Sequence, residues 1–158
     1  MENNSLVIFF DGSCGPTNPG GDIGAGVVFY HATNFGFSKK ETKSMYDSIK
    51  KIHTISEKHK FGENNFHYTT NNIAEHYALY LGLKYALTLD YKKISVFGDS
   101  KMVINQMAGI FAIDRNKPYG KYATDNMNLK YELLEKDCKL FFNWIPRELN
   151  SIADDLSK

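Results

Sequence analysis

Two acids stand immediately after short apolar runs, Asp11 in FFDGS and Asp99 in VFGDS. Glu75 falls near the start of a long helical pattern, and Asp154 and Asp155 lie close to the end of the chain in NSIADDLSK. If strand ends meet helix starts, three or four of these carboxylates converge in one pocket. Carboxylates gathered that way repel one another unless cations neutralise them. Hard divalent cations with oxygen ligands suit that role. Two such ions about 3.5–4 Å apart could clamp the attacking and leaving oxygens of a phosphodiester. No Cys/His grouping has the spacing of a zinc site. Each acid alone says little: an Asp-Gly after a strand is an ordinary turn, a Glu in a first helical turn serves the dipole, and an Asp before a helix caps it. Their joint order and neighbours carry the information.

The elements that must position these acids follow from the hydrophobic pattern. Leu6–Phe10 is a continuous apolar run rich in β-formers, which suits a strand buried on both faces. After it comes the turn-rich stretch Gly15-Pro16-Thr17-Asn18-Pro19-Gly20-Gly21, then a second strand over Gly24–Tyr30, so the first pair is expected to be antiparallel. Met45–Ile55 reads as a short amphipathic helix through Met45, Ile49, Ile52 and Ile55, with a further strand somewhere in Lys51–Tyr68. Thr70–Leu89 is the clearest helix, with Thr70, Asn71 and Asn72 all suitable N-caps. Tyr91–Phe97 predicts a strand, Lys101–Ala108 a short helix, Asp125–Lys139 a second amphipathic helix and Leu140–Ile145 a final strand. Asn150 is expected to cap a last short helix. Hairpin strands first and helix-separated strands later imply an α/β domain with one mixed sheet flanked by helices. The first and fourth strands are then parallel neighbours, with the site at their carboxyl ends.

Composition bounds the answer. The chain has 158 residues, 42% of them hydrophobic, which suits one globular domain over residues 1–158. Nineteen basic residues face 18 acidic ones, for a net charge of +1. That argues against a sticky, nonspecific polyanion binder but allows a nucleic-acid enzyme with a local basic patch. Only Arg115 and Arg147 are arginines, so each is a candidate fork-shaped ligand for phosphate or carboxylate. No apolar run approaches the roughly 20 residues of a membrane span. No secretory leader is evident after Met1. With two cysteines, Cys14 and Cys138, and no disulfide framework, an intracellular, reducing compartment is expected. The stretch 31–68 is an excursion between strands. It holds Lys39, Lys40, Lys43, Lys50, Lys51, Lys58 and Lys60 against four acids, and four of the five histidines. A solvated face is its default reading.

Four stretches, FFDGSCGPTNPGGDIGAGVVF, TTNNIAEHYAL, VFGDSKMVINQM and WIPRELNSIADDLS, together resemble the type 1 ribonuclease H family. The resemblance implies a five-stranded mixed sheet, three antiparallel strands then parallel ones, flanked by helices. It also implies cleavage of the RNA strand of RNA–DNA hybrids with two Mg2+ or Mn2+ ions, leaving 5′-phosphate and 3′-hydroxyl ends. By motif, Asp11, Glu75, Asp99 and Asp154 would be the catalytic metal ligands, with Gly12 in the same metal shell. Asp155 would be a solvent-facing charge. Cys14, Asn18, Asn71 and Asn72 would contact the hybrid's 2′-hydroxyl face, and Thr70 a phosphate of the DNA strand. Ser100, Lys101 and Arg147 fall on the substrate side by the same motifs.

Three departures from the family pattern stand out. No His follows His76, so the chain resembles the branch that lacks a catalytic-loop His, with Arg147 in that neighbourhood. The basic handle of some relatives is dispersed here over Lys117, Lys121 and Lys130. The 31–68 excursion exceeds the family's usual hairpin, as a substrate lobe, a partner surface or a solvated face. The chain stops just after the Asp154 motif, so no added substrate domain is expected. Two rival readings remain: a non-catalytic hybrid- or duplex-binding module, and a DNA exonuclease on the same sheet.

Overall fold

The computed structural model describes residues 4–33 and 49–158. Three strands come first: β1 (Asn4–Gly15), β2 (Asp22–Thr33) and β3 (Ile49–His59). Then follow α1 (Asn71–Leu87), β4 (Lys93–Gly98), α2 (Lys101–Met107), α3 (Gly120–Glu135), β5 (Lys139–Trp144), a 3-10 turn at Arg147–Leu149 and α4 (Ser151–Ser157). The sheet order is β3-β2-β1-β4-β5. β1 pairs antiparallel with β2 and parallel with β4, β2 pairs antiparallel with β3, and β4 pairs parallel with β5. This is the five-stranded mixed sheet that the residue pattern predicts. None of the described helices is long and apolar enough to cross a membrane.

The apolar run at the centre of β1 is buried on both faces, as expected. Leu6, Ile8 and Phe10 join Ala78, Leu79 and Leu83 of α1 and Leu129 and Leu133 of α3 in the main core. Val7, on the opposite face, packs with Ala32 and Phe97. Burial of this kind contributes roughly 1.5–3 kcal/mol per large side chain, which is what holds β1 at the centre.

The helix expected over Met45–Ile55 is corrected: from Ile49 onward the chain is β3, and its first residues lie outside those described. The isoleucines at 49, 52 and 55 imitate a helical stripe because β3 carries a bulge. Phe29 pairs with His53 and Tyr30 with Lys51, leaving Ile52 as the extra residue. The further strand expected in Lys51–Tyr68 is thus β3 itself. α3 starts five residues earlier than predicted, with Tyr119 at its N-cap and no capping side chain to announce it. It ends sooner because Asp137 takes φ 61°, which stops the helix before β5.

A buried polar knot ties α1, α2 and α3 together. His76 lies fully inside; its Nε2 faces Gln106 Oε1 at 2.8 Å, and Asn126 Nδ2 lies 3.1 Å from its Nδ1 and donates to its carbonyl at 2.9 Å. In a neutral ring with the proton on Nε2, Nε2–H donates to Gln106 and Nδ1 accepts from Asn126. Burial pushes the imidazole down to about 4, the hydrogen bond with Gln106 opposing that shift. The unfolded chain therefore binds a proton below about 6.5 that the folded chain refuses until about 4. Acidification across that window should cost on the order of 3 kcal/mol through His76. The raised acids of the site titrate with the opposite sign over the same window, so the loss is read as a difference: in urea melts at pH 6.5 and pH 4.5, His76→Gln should gain stability relative to the wild-type chain at the lower pH.

Candidate active site

The parallel register sets the site. The last β1–β4 couple is Phe10 with Gly98, so Asp11, still within β1, and Asp99, just past the end of β4, each sit one residue beyond it. Glu75 arrives from α1. Its position is one turn deeper than predicted, because Thr70 is the N-cap, its Oγ1 accepting Ile73 N–H at 3.1 Å. Gly12 makes the approach possible: a Cβ there would run into the Ala74 carbonyl and the Glu75 amide. The Gly12 amide in turn donates to the Glu75 carboxyl. Gly12→Ala should thus force β1 and α1 apart. We expect a loss of about 3 kcal/mol in denaturant melts, with the acid cluster opened.

Asp11, Glu75 and Asp99 each offer a carboxylate oxygen, and these three atoms lie within 4.8 Å of one another. Burial pushes Asp11 up to about 7, with Asp99 and Asp154 adding to the rise while a hydrogen bond from Glu75 opposes it. Burial also drives Glu75 well above the usual carboxylate range, followed by the field of Asp11. Glu75 is the group that keeps a proton and donates it toward Asp11. Burial raises Asp99 as well, despite hydrogen bonds with Asp11 and Asn150. The other oxygen of Glu75, Oε2, is buried without a hydrogen-bond partner among the described residues. Three crowded acids and an orphaned carboxylate oxygen are the donor set a hard divalent cation satisfies.

Asp154 stands at the margin of this trio. It reaches Asp11 through a carboxyl–carboxyl hydrogen bond. Burial tends to raise it, but that bond and the cations Lys158 and Arg147 outweigh burial and hold it below its ordinary value. Lys158 Nζ lies 3.4 Å from Oδ2 and Arg147 Nη2 3.5 Å from Oδ1. Both cations are largely exposed, so these pairs are weak and replaceable. Asp155 faces solvent, as its register in the motif implies.

A cleft of about 910 Å3 opens over the acids, and Gly12, Cys14, Asn71, Asn72, Ser100 and Arg147 line it. Several of the predicted substrate handles have structural duties. Cys14 N–H donates to Asn71 Oδ1 at 3.0 Å, and Asn71 N–H to Asn18 Oδ1 at 3.1 Å. These bonds fasten the β1–β2 loop to the start of α1. Ser100 caps α2 through Val103 N–H at 3.3 Å. Thr70, Asn18 and Lys101 do not line the cleft; Lys101 Nζ instead sits 4.5 Å over the ring of Trp144.

Sequence reasoning assigned Asn150 only to capping. Its side chain makes no cap bond; Nδ2 donates to the Phe10 carbonyl at 2.9 Å, and the amide also meets Asp99. It pins the end of β1 to the start of α4. Ser157, overlooked entirely, donates to the Asp154 carbonyl at 2.7 Å beside Asp11. The bare glycines Gly24 and Gly26 in β2 were the available signal. A Cβ at either would meet the backbone of α4, so α4 must lie flat against β2. Lys58, His59 and Lys60 were hidden in the excursion, yet they also line the cleft.

With this geometry in hand, comparison with known proteins is informative. The family model described as "Reverse transcriptase-like" matches residues 61–158. The bifunctional protein Rv2228c of Mycobacterium tuberculosis is 31% identical over 88 residues, 56% of this chain. The chain spans only 23% of the length of that protein. The solved N-terminal RNase H domain of Rv2228c, fused to maltose-binding protein, matches with a TM-score of 0.70 at 26% identity. That match covers 97% of this chain and 90% of the other. LC11-RNase H1, isolated from compost by a metagenomic approach and solved in complex with an RNA/DNA hybrid, matches with a TM-score of 0.67 at 26% identity, covering 96% and 92%.

Proposed function

Because the chain belongs to the reverse transcriptase-like family, we propose that it is a ribonuclease H, a hydrolase that cuts the RNA strand of RNA–DNA hybrids internally. The observation that carries this reading is the convergence of Asp11, Glu75 and Asp99 within 4.8 Å, with Asp11 pushed up to about 7. Burying repelling acids together costs stability unless they serve a cation. Asp11, Glu75 and Asp99 would hold one divalent cation, Mg2+ or Mn2+, and Asp11 with Asp154 a second. Bound there, the ions supply charge neutralisation and a more acidic water for in-line attack on phosphorus.

The chain's own residues do the rest. The carboxylates fix where the ions sit. Asn150 and the Gly12 amide hold Asp99 and Glu75 in place. Arg147 and Lys158, weakly paired to Asp154, are free to turn toward phosphate as Asp154 takes a cation. The Cys14–Asn71–Asn18 chain presents the β1–β2 loop to the hybrid's minor groove, where 2′-hydroxyls distinguish RNA from DNA. The products would carry 5′-phosphate and 3′-hydroxyl ends.

The test is cleavage of end-labelled hybrid, RNA duplex and DNA duplex, each with Mg2+ or Mn2+. Hybrid alone should be cut, internally and on the RNA strand. Saturable binding without product would identify a binding module instead, and stepwise shortening of DNA ends an exonuclease.

A further inference from the structure

We propose that the end of β3 and the loop behind it form a basic second wall of the cleft, in which Lys58 and Lys60 hold phosphates of the nucleic-acid strand beside the acid floor. This inference rests on the hybrid-cleavage reading above. Lys58, His59 and Lys60 line the same cleft as Asp11, Glu75 and Asp99. Both lysines are exposed, and among the described residues neither has a carboxylate within salt-bridge distance. They differ in this from Lys158 and Arg147, which lean on Asp154. Lys58 is the next-to-last residue of β3 and Lys60 the first beyond it, and extended backbone sets such positions about 7 Å apart. That spacing serves two phosphates rather than one.

The wall is built rather than draped. Residues 60–70 join β3 to α1, longer than the usual two to six residues of such a connection. Phe66 is buried as an anchor and packs edge-on to Tyr77 and parallel to Tyr122. Phe61 N–H donates to Asp22 Oδ1 at 2.9 Å, tying the loop to the start of β2. Gly62 N–H donates to the Phe66 carbonyl at 2.7 Å, and Glu63 N–H to the Lys60 carbonyl at 3.0 Å. His59 is locked between Glu57 Oε1 at 2.8 Å and the Asn64 amide at 2.9 Å, with the Tyr77 hydroxyl donating to the same Glu57 oxygen at 2.7 Å. The polar contacts of Glu57 and His59 hold the inner side of β3 still, while Lys58 and Lys60 are exposed and line the cleft. The fixed backbone sets where both lysine stems begin, which lowers the ordering cost of meeting a phosphate.

Counterion release makes this measurable. Each phosphate contact adds about 0.9 to the slope of log affinity against log salt concentration. Hybrid binding by fluorescence anisotropy, on an Asp11→Asn background so that nothing is cut, should give Lys58→Gln plus Lys60→Gln a slope shallower by about 2. Each single variant should lose about 1. In the otherwise wild-type chain the loss should appear in KM, roughly tenfold near physiological salt, and Lys→Arg at both positions should restore it. The pair Lys84→Gln and Lys136→Gln, away from the cleft, should leave the slope unchanged. A double variant with an unaltered slope and KM, in a chain that still cuts hybrid, would overturn this inference alone. A wild-type chain that neither binds nor cuts hybrid would overturn the functional reading with it.

Discussion

Asp11→Asn should abolish hybrid cleavage, by about 1000-fold or more, and at the same time raise the melting temperature of the protein in chelator. The two effects have one cause. Asp11 is almost wholly buried, in hydrogen-bond contact with Glu75, Asp99 and Asp154, and burial and the field of its neighbours push it up to about 7. Ionised at neutral pH without a cation, it destabilises the fold. Asparagine keeps the shape and removes the charge, relieving Glu75 of the field that helps to raise it. The gain should be on the order of 1–3 kcal/mol. The loss of activity follows because one carboxylate less leaves the shared cation ligand missing, and electrostatic groups of this kind are each worth about 100- to 1000-fold or more. A merely structural Asp would behave in the opposite way, with stability lost and activity spared. Turnover of labelled hybrid and thermal melts in chelator separate the two outcomes.

How much of this was readable beforehand depends on what each residue answers to. The Leu6–Phe10 run dictates a buried strand by composition alone, and the helix behind Thr70 follows from spacing and cap together. Once those two are placed, the parallel pairing of Phe10 with Gly98 brings Asp11 and Asp99 side by side. The site was legible because it lies at the ends of the most strongly patterned elements. β3 was not. It is an edge strand with one solvated face, and the bulge at Ile52 breaks its period of two into something helix-like. For the same reason the cleft-lining end of β3 passed as a solvated excursion. Asn150 occupies the N-cap position expected of it, but its side chain serves another purpose. A cap position predicts a local bond, whereas its amide reaches 140 residues back to the Phe10 carbonyl. Long-range polar contacts leave no period in a sequence. The glycines of β2 leave one, but only when the helix that lies across them is already known.

The second large effect is the reversal of the pH dependence of stability when a divalent cation is added. In the folded chain Asp11 titrates near 7 against an ordinary 3.8, and Glu75 is raised well above its ordinary value. Between the unfolded and folded values the folded chain keeps protons that the unfolded chain has released. Metal-free stability must therefore fall as pH rises through that window. His76 acts with the opposite sign, but only below about 6.5, where the two limbs offset each other. Above 6.5 the acids act alone, so the melting temperature in chelator should decline from pH 6.5 to 8. A cation replaces the protons and binds more tightly as they leave. At a concentration 100 times its dissociation constant it adds about 2.7 kcal/mol, or roughly 5–10 °C for a chain of this size. With Mn2+ present the curve should rise over the same interval, and Asp11→Asn should show a shallower decline, because burial still raises Glu75, and no rise. Melts of both proteins at four pH values, with chelator and with Mn2+, decide it. A flat chelator curve, or a melting temperature indifferent to saturating Mn2+, would mean that these acids are not poised for a cation at all.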